Sequence, residues 1–181
     1  HFDYYQPEAY LPKSDTYIEK NAVTNDEIDM LRMSAYNSLL ERKDVIVVAS
    51  VACIYASSNP SDYKDMFFTL KVGETIDRQE LARKLILRQY QRNDVDTTRG
   101  TFSLKGDVVE IRPGHTDSFA IRIELFDDEI ERISEVDPVT GKLIAAYRIY
   151  NFYPATGYAN TMDVMKKAAS SIEEELKERL D

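Results

Sequence analysis

Cysteine, histidine and glycine are all scarce in this 181-residue chain, and each scarcity removes a class of chemistry. Cys53 is the lone thiol, so no disulfide can form within the chain, and a reducing cytoplasm is the expected setting. Only His1 and His115 accompany it, so the clustered His and Cys spacings of a zinc site cannot be written. The acidic run Asp127-Asp-Glu129 reads as a solvated turn, and no metal is assigned to it. Six glycines, at 73, 100, 106, 114, 141 and 157, fit neither G-x-x-x-x-G-K-[ST] nor G-x-G-x-x-G, so no phosphate cradle is expected. Ser50 and Cys53 have no histidine near them in sequence and read as packing residues beside an apolar run, not as nucleophiles. No apolar stretch approaches the roughly 18 residues that span a bilayer, and no signal peptide precedes the first motif, so neither membrane insertion nor secretion is expected. Cations are short as well. Lys and Arg total 23 against 32 acids, and a net charge of −9 opposes general affinity for polyanions.

Tyrosine, by contrast, is concentrated at the start. Four of the twelve tyrosines, Tyr4, Tyr5, Tyr10 and Tyr17, fall in the first twenty residues, interrupted by Pro7 and Pro12. Their spacing matches neither the period of 2 nor the period of 3.6 that a buried face requires. An extended hairpin with aromatic sides fits better. Exposed rings of this kind give unpaired bases a face to stack on, worth about 1 to 3 kcal/mol per base and with little sequence preference. Charge adds nothing to this reading, because Asp3, Glu8, Asp15 and Glu19 outnumber Lys13 and Lys20. The ordinary alternative is a hairpin packed on a core.

Beyond the hairpin, Thr24-Asn-Asp-Glu27 has capping-box spacing, and Ile28, Leu31, Ala35 and Leu39 recur at helical intervals up to Arg42. Val45 to Val51 reads as a strand buried on both faces of a parallel sheet whose neighbours this chain does not supply. Ser57-Ser-Asn-Pro60 predicts a loop, with Asn59 as N-cap and Pro60 opening a short helical turn. A strand is expected from Phe67 to Val72 and a helix from Asp77 to Gln91. Short alternating segments then follow: 101 to 104, 108 to 111, 119 to 125, 129 to 134 and 143 to 150, separated by turns tight enough to favour antiparallel pairing. A last helix from Thr161 places Met165, Ala169, Ile172, Leu176 and Leu180 on one face and stops at Asp181 without a Gly or Asn cap. Opening in a hairpin strand and closing in mid-helix is the expectation for a piece of a longer protein.

One stretch stands against the acidic background. Residues 83 to 99 hold Arg83, Lys84, Arg88, Arg92 and Arg99 against Asp94 and Asp96, a local +3. Lys84, Arg88 and Arg92 repeat at i, i+4 and i+8, which on a helix reaching Gln91 aligns them along one side. The plain reading is a solvated face with partners such as Glu80. The sharper one is a docking patch, where complementary charge sets encounter rate and partner choice.

Specific strings point further. Asp3-Tyr-Tyr-Gln-Pro-Glu-Ala-Tyr10 and Asp15-Thr-Tyr-Ile-Glu-Lys20 resemble the β-hairpin signature of the UvrB family, the damage-verifying subunits of bacterial nucleotide excision repair. The resemblance continues through Asp44-Val-Ile-Val-Val-Ala-Ser50, Cys53-Ile-Tyr55, Arg92-Asn-Asp94, Arg99-Gly-Thr-Phe102, Gly106-Asp-Val-Val-Glu-Ile111 and Glu129-Ile-Glu-Arg132. It implies an α+β chain in which an antiparallel module with helices is inserted into part of a RecA-like P-loop helicase core. The implied divisions are 1–22 for the hairpin, 23–65 for partial core, 66–159 for the inserted UvrA-interaction domain and 160–181 for a helix returning to the core. DNA contact is implied for Phe2, Tyr4, Tyr5, Tyr10 and Tyr17, with His1 and Phe2 standing where the family commonly has tyrosine. UvrA contact is implied first for Arg92, which matches the arginine of the family's Arg-Asn-Asp motif. Two further family arginines are here Ser103 and Lys105, and Lys84, Arg88 and Arg99 complete the expected patch. The resemblance also implies that the longer protein uses ATP and Mg, binds damaged DNA and recruits UvrC for incision, while this stretch, lacking a P-loop, is no enzyme by itself. Two rivals remain: the UvrA-binding module of a transcription-repair coupling factor, which should lack the tyrosine hairpin, and an α+β small-molecule hydrolase, which should carry a triad, metal cluster or nucleotide loop.

Overall fold

A computed structural model of the chain describes residues 4–6, 9–19, 21–23, 25–49, 51, 60–95, 98–157 and 162–180, which fall into two compact units, 1–57 and 58–181. The fold is mixed α and β with mostly antiparallel strands. Among the described residues no helix is long and apolar enough to cross a membrane. His1, Phe2, Ser50, Cys53 and Asn59, each given a role from sequence, lie outside the described residues.

The first unit opens with two antiparallel strand pairs. Strand β1 (Tyr4–Gln6) pairs with β4 (Asn21–Val23), and β2 (Ala9–Leu11) pairs with β3 (Thr16–Ile18), all antiparallel. Pro12 begins the turn from β2 to β3. Asp15 adopts a left-handed φ of 49° in that turn, a conformation Asp tolerates better than most residues.

Helix α1 (Asp26–Glu41) follows, and two details differ from the sequence expectation. Its N-cap is Asn25, whose side chain accepts from the backbone N–H groups of Glu27 and Ile28, so the cap lies one residue beyond Thr24. The covered face is also the opposite one. Met33 and Asn37 are buried, whereas Leu31 and Leu39, which mark the expected apolar stripe, are exposed. The segment expected as a doubly buried strand is likewise irregular and open: Ile46 is 92% and Val48 95% exposed. A strand is stable only when neighbours take its N–H and C=O groups, and among the described residues nothing pairs with this one.

The second unit holds the main core. Pro60 opens α2 (Pro60–Asp65), where its missing N–H costs nothing, and β5 (Phe68–Lys71) follows. Helix α3 (Arg78–Leu87) is capped by Asp77, which accepts from the Gln79 N–H at 3.1 Å. It buries Leu81 and Leu85 completely, each worth about 1.5 to 3 kcal/mol over exposure. The helix stops four residues short of the expected Gln91. Gln89 turns to a left-handed φ of 67°, and Tyr90 is drawn into the core, where its O–H donates to the Tyr153 carbonyl at 3.0 Å.

Strands β6 (Gln91–Arg92), β7 (Thr101–Lys105), β8 (Val108–Ile111), β9 (Ala120–Phe126), β10 (Glu129–Val136) and β11 (Leu143–Tyr147) form one sheet in the order β11-β10-β9-β8-β7-β6. Every pair is antiparallel except β6 with β7, which run parallel. Ile121, Ile123 and Leu125 of β9 face the core, and Arg122 and Glu124 alternate to the other face, where they pair with Glu110 and Arg132. The segment expected as one strand from 143 to 150 divides after Tyr147: β12 (Ile149–Phe152) leaves the large sheet to pair with β5. Phe152 lies opposite Phe68 in that pair, and their rings stack at 5.1 Å. Helix α4 (Met162–Leu180) ends the chain, with Met165, Ile172, Leu176 and Leu180 all exposed.

Candidate functional site

Three consecutive residues, from the last of β6 onward, divide the work of one exposed cation. Arg92 ends the two-residue strand, and its side chain is 55% exposed. Asn93 continues the pairing by donating its N–H to the Phe102 carbonyl, and its side-chain oxygen accepts from the Val95 N–H, which closes an Asx turn. Asp94 then reaches in both directions. One carboxylate oxygen accepts from the Leu104 N–H at 2.9 Å, and the other receives Arg92 Nε at 3.0 Å and Nη2 at 2.9 Å. The Leu104 N–H, followed by the Arg92 guanidinium, holds the Asp94 carboxyl below the usual range. Arg92 is thereby fixed in orientation while its side chain stays more than half exposed.

The other cations of the stretch do not continue that display. Because α3 ends at Leu87, Lys84, Arg88 and Arg92 do not form the single helical row expected from their spacing. Lys84 pairs with Glu80 one turn back at 3.3 Å. Arg88 turns inward: Nε donates to the Met66 carbonyl at 2.8 Å, Nη1 to the Lys84 carbonyl at 3.1 Å, and the guanidinium lies 4.7 Å from the Phe68 ring centre. Its pKa is lowered by desolvation. Arg99 closes a loop, donating to the Gly114 carbonyl and pairing with Asp117. Lys105, at the end of β7, is exposed.

On the hairpin, Tyr10 and Tyr17 lie directly opposite each other, 55% and 56% exposed. The Tyr10 O–H donates to Asp15 at 2.8 Å, which raises its pKa, that bond being the main cause. Tyr4 and Tyr5 sit on β1, opposite Val23 and Ala22.

Comparison with known proteins is consistent along the chain. Residues 68–158 match the model of the UvrB interaction domain. The UvrABC system protein B of Bacillus licheniformis is 53% identical over 180 residues, and that of Listeria monocytogenes serotype 4b is also 53% identical; one from Clostridium botulinum Loch Maree is 52% identical. Each alignment covers 99% of this chain. The chain belongs to the UvrB family. It spans 27% of the length of those relatives.

Within this UvrB-family chain, the two positions where the resemblance led us to expect arginine differ in setting. Ser103 is buried in β7 opposite Glu110, whereas Lys105 reaches solvent. Sequence reasoning missed Asp94 as the residue that orients Arg92, although the i, i+2 spacing was a usable signal. It also missed the exposed side of α3. Arg78, Ala82 and Ile86 follow one another at i, i+4 and i+8, and with Arg83 they line a trough that Arg92 and Leu104 complete.

Proposed function

We propose that this chain is the UvrA-docking and DNA-contacting portion of a nucleotide excision repair subunit. The observation that carries the reading is Arg92, held outward by Asp94 at the edge of a sheet that matches the UvrB interaction domain. A cation pre-oriented by its own carboxylate loses little freedom when a second acidic group reaches it, and Arg presents further donors in a planar fork. Arg92 is the primary UvrA contact and Lys105 an exposed companion. Lys84, Arg88 and Arg99 shape the surface through the bonds described above. The hairpin contributes Tyr10 and Tyr17 as a paired stacking surface for bases, with Tyr4 and Tyr5 of β1 and, by family resemblance, Phe2 as further contacts.

The longer protein that we infer combines the hairpin (1–22), part of a RecA-like helicase core (23–65), the inserted interaction domain (66–159) and a helix returning to the core (160–181). It binds ATP and Mg through residues outside this chain, verifies damaged DNA received from UvrA, passes it to UvrC and works in the cytoplasm. Calorimetry of the chain with UvrA from the same organism, at two salt concentrations, tests the docking part. Binding that weakens with salt and is lost in Arg92→Glu is expected; a folded wild type that does not bind would overturn it. Binding of a damaged duplex should weaken in Tyr10→Ala and Tyr17→Ala, and equal affinity in both variants would remove the hairpin from the DNA contact.

A further inference from the structure

We infer that Asp15 is a positioning residue for the hairpin's contact with DNA: its carboxylate anchors the Tyr10 ring and occupies the Tyr10 hydroxyl, so that Tyr10 offers its face to unpaired bases and no donor to the phosphate backbone. This rests on the DNA contact proposed for the hairpin and names a residue on which that contact depends. Strands β2 and β3 place Tyr10 and Tyr17 opposite each other, both more than half exposed. The two are not equivalent. The Tyr10 O–H donates to Asp15 at 2.8 Å, whereas the Tyr17 O–H has no such tie among the described residues. Asp15 is itself set by the turn. Its φ is 49°, the Ser14 N–H before it donates to the Leu11 carbonyl at 3.2 Å, and the Thr16 hydroxyl after it donates to the Ser14 carbonyl at 3.1 Å.

An exposed side chain samples several rotamers, and a base that stacks on its ring must order it first. A ring held at both ends, by its Cβ on β2 and its hydroxyl at the turn, loses less freedom when a base arrives. Asp15 also decides which part of a nucleic acid Tyr10 can meet. A phenol carries one donor proton, and here a carboxylate already accepts it. Phosphate oxygens only accept hydrogen bonds, so they find no donor at this hydroxyl and meet a like charge beside it. An unpaired base needs only the ring face. Aspartate suits the position on both counts, because it tolerates the left-handed backbone and carries the charge.

Binding of the full chain to two probes tests the assignment: a duplex with a short unpaired bubble, and the fully paired duplex of the same sequence. Asn and Gly both accept the left-handed φ at position 15, but only Asn keeps an acceptor for the Tyr10 O–H. Asp15→Gly and Tyr10→Phe each remove the bond and leave a ring at position 10. Each should weaken bubble binding about twofold to fivefold, and the double variant should lose no more than either alone. Asp15→Asn should bind the bubble within about twofold of wild type and the paired duplex more tightly, because the bond survives and the charge is gone. A residue needed only to build the turn would be replaced by Gly as well as by Asn. If Asp15→Gly and Tyr10→Phe bind the bubble as wild type does while Tyr10→Ala does not, or if Asp15→Asn loses as much as Asp15→Gly, the role of Asp15 falls and the hairpin's DNA contact stands. If Tyr10→Ala and Tyr17→Ala also bind as wild type does, or the wild type binds neither probe, both fall.

Discussion

Replacing Arg88 by alanine should destabilise the second unit by about 3 kcal/mol and leave the chemistry of the Arg92 turn intact. The side chain makes three contacts. Its Nε donates at 2.8 Å to the carbonyl of the buried residue Met66, and a hydrogen bond from a charged donor contributes about 1.5 to 3 kcal/mol. The guanidinium lies 4.7 Å from the Phe68 ring centre, in a half-buried setting where such contacts contribute about 0.5 to 2 kcal/mol. Its Nη1 reaches the Lys84 carbonyl near the end of α3, where a cation gains a further 0.3 to 1 kcal/mol or so. These contributions overlap, and desolvation of the guanidinium offsets part of them, which brings the sum to about 3 kcal/mol. Urea unfolding followed by tyrosine fluorescence measures it directly, and in a thermal melt the shift should be on the order of 10 °C. Arg92→Ala is the control: an exposed pair with Asp94 contributes about 0 to 1 kcal/mol. Equal stability of Arg88→Ala and wild type, combined with weakened UvrA binding, would refute this assignment and return Arg88 to the docking surface.

Two further predictions concern tyrosines. The Tyr147 O–H donates to Glu135 at 2.6 Å, and that bond, helped by desolvation, pushes its pKa up to about 12. A raised pKa means that the folded chain holds the phenolic proton more tightly. The stabilisation is complete below about pH 10 and is lost as pH rises towards 12. Tyr147→Phe should therefore cost about 1 kcal/mol at neutral pH, after allowance for solvent around the pair, and show a shallower loss of stability between pH 10 and 12; identical alkaline profiles would count against the bond. On the hairpin, the pKa of Tyr10 should fall towards its ordinary value in Asp15→Ala, read by NMR titration of the labelled ring, and an unchanged midpoint would show that the two side chains do not interact.

The antiparallel strands were legible because their turns announce themselves and because alternation along segments such as 120–126 is clean. The end of α3 was not. Continuing its period to Gln91 is reasonable by propensity, yet Tyr90 gains more from the core and from the Tyr153 carbonyl than from a further helical turn. The face of α1 was misjudged for a related reason: the Ile28 and Leu31 stripe looks apolar, but Met33 and Asn37 meet the protein. Val45 to Val51 has the composition of a buried strand, and composition cannot supply the neighbours that would pair it.

The shortened helix also changes how the positive stretch must be understood. Five cations between residues 83 and 99 suggest one patch, but the turn at Gln89 sends them in different directions. Arg88 and Arg99 are tied to carbonyls at 66, 84 and 114, so their charge serves cohesion. Arg92 leaves the helix axis and crosses to the sheet edge, where Asp94 can orient it and where Arg83, one turn before the helix end, faces the same trough. Had α3 run on to Gln91, Arg92 would have followed Arg88 along the helix, and the exposed fork could not have formed beside Leu104. Tyr90, buried at the turn, is thus the residue on which the display of Arg92 depends. Its contribution to docking is indirect, through the path it imposes on the chain between helix and sheet.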